Sequence, residues 1–130
     1  MVKNKKALEG YGRGAIEAEI DYASPHRIIQ MLMEGATSKL VVAKGCISRG
    51  EIAEKGRQIT WAIDIIGGLR SSLDMDKGGE ISTNLDALYD YMTRQLLMAN
   101  LKNDSDILDE VIQLLSEVKA GWDSIPVEFH

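Results

Sequence analysis

The side chains that could carry out acid–base or nucleophilic chemistry in this chain are few. They comprise one cysteine, Cys46, and two histidines, His26 and His130. Cys46 and His26 lie about five turns apart on the same predicted helix, whereas a nucleophile and its base must come within hydrogen-bond reach of each other. We therefore expect Cys46 to be a small buried residue and His26 to be an exposed residue in the first turn of a helix.

His26 suggests a second chemistry, because phosphotransfer modules are also four-helix bundles of about this length. Those modules expose a histidine in mid-helix, followed three and four positions later by lysine and glycine. Here Ile29 and Gln30 occupy those two positions. A phosphorelay bundle that uses His26 stays open as an alternative function.

Metal and nucleotide sites lack the residues that they need. A di-metal bundle requires Glu-x-x-His pairs, which two isolated histidines do not supply. Asp74 and Asp76 match the first and third positions of a calcium loop, but Leu85 stands where a bidentate glutamate should be. No apolar strand precedes the glycines between 10 and 14, as a nucleotide-binding fingerprint requires. We expect no metal, no cofactor and no catalytic site, and hence not an enzyme.

Composition places the chain among soluble, single-domain proteins. Of its 130 residues 45% are apolar and 27% are charged, which is enough apolar material for one core. A net charge of −5 without a long basic run argues against nucleic acid as a partner. The longest uncharged apolar run, 65–69, is far shorter than the roughly 20 residues that cross a bilayer, so membrane insertion is not expected. A lone cysteine fits a reducing compartment, and we expect a cytoplasmic protein.

Apolar periodicity predicts an all-α fold. Both prolines lie outside residues 26–125, and apolar side chains recur there at spacings of three and four. The pattern predicts helices over about 25–48, 51–73, 80–102 and 107–122, with Ser24 capping the first helix and a loop at 74–79. Short connections favour an antiparallel four-helix bundle at 24–124, preceded by a mobile N-terminal arm at 1–23 and followed by a tail at 125–130.

The predicted helices carry more apolar surface than one core seam needs. The expected seams are Ile29, Leu32, Ala36, Leu40, Ala43 and Ile47; then Ile52, Ile59, Ile63, Ile66 and Leu73; then Ile81, Leu85, Leu88, Met92, Leu96 and Ala99; and finally Ile107, Val111, Leu114, Leu115, Val118 and Trp122. The apolar residues left over predict grooves for another polypeptide: Met31, Val42, Trp61, Ile65, Leu69, Tyr91 and Met98. A self-associating structural bundle would use the same surplus as an oligomer interface.

Specific residues resemble the FliS family of flagellin-export chaperones. The resemblance covers about 22–123 and rests most strongly on Leu88-Tyr-Asp-Tyr-Met92, Ala99-Asn100 and Lys102-Asn-Asp104. Met31-Leu32, Glu34-Gly35, Arg94, Leu97, Leu108, Glu110-Val111 and Trp122 extend it. One departure is Met33, where the family often has tyrosine.

The resemblance implies a cytoplasmic chaperone. Such a protein binds the disordered C-terminal region of newly made flagellin, prevents its premature polymerisation and assists its delivery to the flagellar type III export apparatus. Family members also engage the export gate protein FlhA, and some bind the anti-sigma factor FlgM, which makes both candidate secondary partners. In the family the N-terminal arm can occupy part of the client surface, a role that Ile16, Ile20 and Tyr22 would take here.

Overall fold

Four helices account for most of the chain that the structure describes. The structure is a computed structural model that describes residues 23–130. Its helices are α1 (Pro25–Arg49), α2 (Ile52–Ser71), α3 (Gly79–Lys102) and α4 (Ser105–Asp123), and a 3₁₀ turn follows at Val127–Phe129. The prediction of an all-α bundle is confirmed. The expectations for Ile16, Ile20 and Tyr22 fall outside the described residues.

Side chains and backbone at the turns explain where the helices begin and end. Ser24 Oγ accepts a hydrogen bond from the Arg27 N–H at 3.1 Å and so caps α1, as predicted from the sequence. Gly50 ends α1 with φ of 72°, a left-handed conformation that glycine adopts without steric cost. Asn103 ends α3 in the same way with φ of 53°, and Asp104 caps α4 by accepting from the Asp106 N–H at 2.9 Å. Both tight turns reverse the chain and make consecutive helices antiparallel.

The helices pack in a ring. Helix α1 contacts α2 and α4, and α3 completes the ring by contacting the same two helices. The two ends of the bundle differ in the segments that they carry. The turn end carries the turns at 50–51 and 103–104, and the tail end carries the start of α1, the 72–78 loop and the segment after α4.

The core contains most of the predicted seams, together with residues that the seams omitted. Of the first predicted seam, Leu32, Ala36, Leu40 and Ala43 are fully buried, and Cys46 is buried beside them as expected. The expected core positions Ile52 and Ile81 are wrong, because each lies in the first turn of its helix, at an end of the bundle, and is about half exposed or more. Ile65 and Leu69, which the predicted seams omit, are buried in the core. Along residues 23–130, no helix is both long and apolar enough to cross a membrane.

Candidate functional site

Three of the seven predicted groove residues lie inside the protein. Ile65 and Leu69 are at most 1% exposed and Met31 is 7% exposed, all within the core formed by the four helices. The reason is geometric, since the core-facing surface of α2 is broader than the predicted seam and includes Ala62, Ile65 and Leu69 as well as Ile66. Met31 and Ile65 are therefore core residues that pack beneath the surface of the bundle.

Two predicted groove residues, Trp61 and Tyr91, are half-buried and make defined polar contacts. The Lys39 ammonium lies 3.6 Å from the centroid of the Trp61 ring, a cation–π geometry between α1 and α2. The Tyr91 hydroxyl donates to Glu110 Oε2 at 2.7 Å, between α3 and α4. This hydrogen bond to a carboxylate raises the pKa of the Tyr91 hydroxyl above its ordinary value. Both rings thus mark the seams between adjacent helices, with part of each face open to solvent.

The remaining two, Val42 and Met98, are exposed and lie in the half of the bundle near the turn end. The predicted groove residues omit three other exposed apolar side chains in that half. We define the turn-end patch as Ile52 at the start of α2 with Leu97 and Leu101 near the end of α3, all of them about half exposed or more. The spacing of Leu97 and Leu101 was a usable signal, because residues four apart share one face of a helix and these two lie off the seam of Leu96 and Ala99.

A buried lysine fixes the two helices that carry the turn-end patch. Lys55 of α2 is 4% exposed, and its Nζ donates to the Asn100 carbonyl oxygen of α3 at 2.8 Å. That oxygen is among the last carbonyls of α3, which have no partner within the helix and lie at the negative end of its dipole. The contact ties the start of α2 to the end of α3, the two segments that carry the turn-end patch.

The tail end contains an apolar cavity of about 800 Å³, here called the tail-end pocket. Residues from all four helices and from the segment after α4 line it, among them Met33, Leu69, Leu85, Tyr89 and Trp122. Burial raises the pKa of the Tyr89 hydroxyl to about 12. Ala23, the first residue that the structure describes, lies in the wall of this pocket. Leu69 is thus a core residue that also faces a cavity.

His26 is buried, and the expectation of an exposed histidine is wrong. Its ring is only 5% exposed and stacks against the Trp122 ring, with centroids 4.7 Å apart. The Trp122 indole N–H also donates to the His26 carbonyl oxygen at 3.0 Å. Burial lowers the pKa of the His26 imidazole, nearby His130 lowers it further, and Asp123 acts in the opposite direction. Trp122 lies 96 residues after His26 in the sequence. No pattern within the first helix could therefore predict that the two rings stack.

Ion pairs between helices join basic side chains of α1 and α2 to acidic side chains of α3 and α4. Arg70 of α2 contacts Asp86 at 2.6 Å and Asp90 at 3.2 Å on α3. Lys44 of α1 pairs with Asp109 of α4 at 2.5 Å. These pairs are partly exposed, so each contributes little stability on its own. Arg70 and Asp86 lie near the tail end of the bundle, whereas Lys44 and Asp109 lie near the turn end, so ion pairs link adjacent helices at both ends.

Fold and surface together define a class of protein. Four antiparallel helices present an apolar patch at one end and an apolar pocket at the other, and residues 23–130 hold no group of three or more side chains placed to bind a metal ion. These features define an antiparallel helical-bundle protein with apolar surface at both ends of the bundle.

Comparison with known proteins identifies the family. The family model described as Flagellar protein FliS matches residues 7–128. The chain is 52% identical to the flagellar secretion chaperone FliSB of Pseudomonas aeruginosa over 120 residues, which are 92% of this chain and 95% of the relative. It is 45% identical to the flagellar secretion chaperones FliS of Vibrio cholerae (95% of this chain and 91% of the relative) and Salmonella typhimurium (91% and 88%). The chain belongs to the FliS family of flagellar secretion chaperones, which confirms the resemblance seen in the sequence.

Proposed function

We propose that this protein is a cytoplasmic export chaperone that binds the disordered C-terminal region of newly made flagellin, keeps it from polymerising and assists its delivery to the flagellar type III export apparatus. The observation that carries the proposal is the pair of apolar areas at opposite ends of one bundle. A single small ligand cannot occupy both, whereas an extended polypeptide can.

The spacing of the two areas sets the size of the client segment. Leu97 of the turn-end patch and Ile81, which lines the tail-end pocket, lie 16 residues apart on α3, which corresponds to about 24 Å along a helix. A client would cover that distance with about 16 helical residues or about seven extended ones. A disordered segment that folds on binding typically buries about 1,000–3,000 Å², which is enough to cover both areas and the surface between them.

The residues that we propose to contact the client follow from exposure. Val42, Trp61, Tyr91 and Met98 keep the role predicted from the sequence, and the turn-end patch joins them. Leu69 contributes as part of the wall of the tail-end pocket, and Met31 and Ile65 act as core support.

We also propose that the N-terminal arm competes with the client through Ile16, Ile20 and Tyr22. Support comes from Ala23, which continues directly from these residues in sequence and lines the tail-end pocket. Deleting residues 1–20 should then leave the affinity for flagellin unchanged or raise it. A large loss of affinity in calorimetry would instead make the arm part of the binding surface.

Titration calorimetry with two forms of flagellin tests the proposed function. Intact monomeric flagellin should bind with a negative heat-capacity change, the mark of apolar burial, and flagellin without its C-terminal region should not bind. Equal binding of both forms would contradict the proposal. Sedimentation of the free chain at low concentration is the matched control, because a stable oligomer would assign the apolar areas to self-association.

The alternative of a phosphorelay bundle conflicts with the burial of His26. A phosphoaccepting imidazole must reach the phosphorylated aspartate of a partner protein, but this ring lies between two other rings. FlhA and FlgM remain proposed secondary partners, and binding measurements with each purified protein would test them separately.

A further inference from the structure

Three aromatic rings form one continuous stack at the tail end of the bundle. His26 of α1 lies between Trp122 of α4 and His130, and the two imidazole centroids are 3.5 Å apart with only 2° between their planes. The last residue of the sequence is thereby held against the first turn of the first helix.

The segment 125–130, here called the tail, has one face on the pocket and one in solvent. Ile125 and His130 line the tail-end pocket, whereas Val127 and Phe129 point outward and are largely exposed. A short internal framework fixes this arrangement. The Phe129 N–H donates to the Pro126 carbonyl at 2.9 Å, and a ring nitrogen of His130 lies 2.8 Å from the Ile125 carbonyl oxygen.

The stack that holds the tail leaves part of the hydrogen-bonding capacity of the His26 ring unused. Its Nε2 atom is buried and has no hydrogen-bond partner among the described residues. A buried polar atom without a partner has lost its hydration without replacement, so opening the stack would return water to this nitrogen. Stacking and apolar contact favour the closed arrangement, and the unpartnered nitrogen opposes it, which makes the tail a cover that a competitor can displace.

We propose that the tail is a releasable cover of the tail-end pocket, latched by the stack of His130 on His26, and that an apolar client segment entering the pocket displaces it. The identity of the client rests on the proposed function, whereas the cover and its latch rest on the contacts above. The pocket wall on one side of the entrance belongs to the tail itself, so a client that fills the pocket must either move the tail or pack against it.

Chemical modification of His26 tests the latch without any client. In His130→Ala and His130→Phe variants of the full chain, His26 is the only histidine, so the rate at which diethylpyrocarbonate forms carbethoxyhistidine, followed by its own ultraviolet absorbance, reports the exposure of that ring. The alanine variant removes the stack, whereas the phenylalanine variant retains a ring in its place. The modification rate of the alanine variant should therefore be about threefold higher or more, the factor that corresponds to the free energy of one aromatic contact. Equal rates would overturn the proposal.

Binding of the flagellin C-terminal region to the same variants tests the competition. His130→Ala should bind about threefold to tenfold more tightly than the unmodified chain, because the client no longer displaces the stacked ring. His130→Phe should bind like the unmodified chain, and so should Phe129→Ala, which removes an exposed ring from the same tail. Equal affinity of all four proteins would overturn the competition. If none of the four binds flagellin, the proposed function fails, and the modification rates still decide whether the latch exists.

Discussion

Replacing two exposed leucines should weaken client binding without weakening the fold. Leu97 and Leu101 are 56% and 78% exposed, so together they offer the client about 1.3 leucine side chains of surface. Complete burial of one leucine contributes about 1.5–3 kcal/mol, which sets an upper limit of about 2–4 kcal/mol for the pair. The double variant Leu97→Gln, Leu101→Gln should therefore raise the dissociation constant by about 30-fold to several hundred-fold if the client covers both.

Glutamine makes this a clean perturbation. Its helix propensity is close to that of leucine and it adds no charge, so the free energy of unfolding should change by less than about 0.5 kcal/mol per site. Calorimetry against monomeric flagellin measures the affinity, and urea denaturation measures the stability. Met75→Gln is the matched control, since it removes an exposed apolar side chain from the loop at the opposite end. A change in affinity below threefold in the stable double variant would refute the assignment of the turn-end patch.

Three further outcomes follow from buried groups. Ile65→Ala should lower the free energy of unfolding by about 2–5 kcal/mol in urea denaturation, because Ile65 is a core residue rather than an open groove residue; a loss of affinity with unchanged stability would contradict that. Lys55→Met should cost about 1.5–3 kcal/mol in the same assay, because it removes a charge-assisted hydrogen bond and leaves the Asn100 carbonyl without its partner. Burial, followed by His130, lowers the pKa of His26, so folding favours the neutral ring and the unfolded chain binds more protons. This contribution to stability is complete above the unfolded pKa of about 6.5 and is lost as the pH falls through the lower folded value. His26→Phe should therefore flatten the acid side of the stability profile, and an unchanged profile would count against the burial of a neutral imidazole.

The helices were predictable because their signals are local. Ser24 before Pro25 starts α1, and the loop predicted at 74–79 separates α2 from α3. The predicted boundaries lie within about two residues of the observed ones. Most core positions also followed from helical periodicity. The errors at Ile52 and Ile81 arose in the first turns of α2 and α3, where the apolar pattern continues although these side chains lie at an end of the bundle and stay exposed.

The surface was harder to predict, because it depends on which helices become neighbours. The surplus of apolar residues was visible in the sequence, but the division of α2 between core and groove was not. The sequence predicts Ile65 and Leu69 as groove residues, whereas both are buried in the core. The stack of His26 joins residues 96 and 104 positions apart in sequence, and no pattern within one helix predicts such a contact.

Methyl-group NMR of the complex tests the central claim most directly. Isoleucine, leucine and methionine methyls report separately on the exposed apolar areas and on the core. On titration with the flagellin C-terminal region, the largest shifts should occur at Ile52, Leu97, Met98 and Leu101, while Leu32 and Leu40 stay nearly unchanged. If the methyl signals of these four exposed residues do not shift in a saturated complex, the claim that the client binds on the apolar surface of the bundle is contradicted.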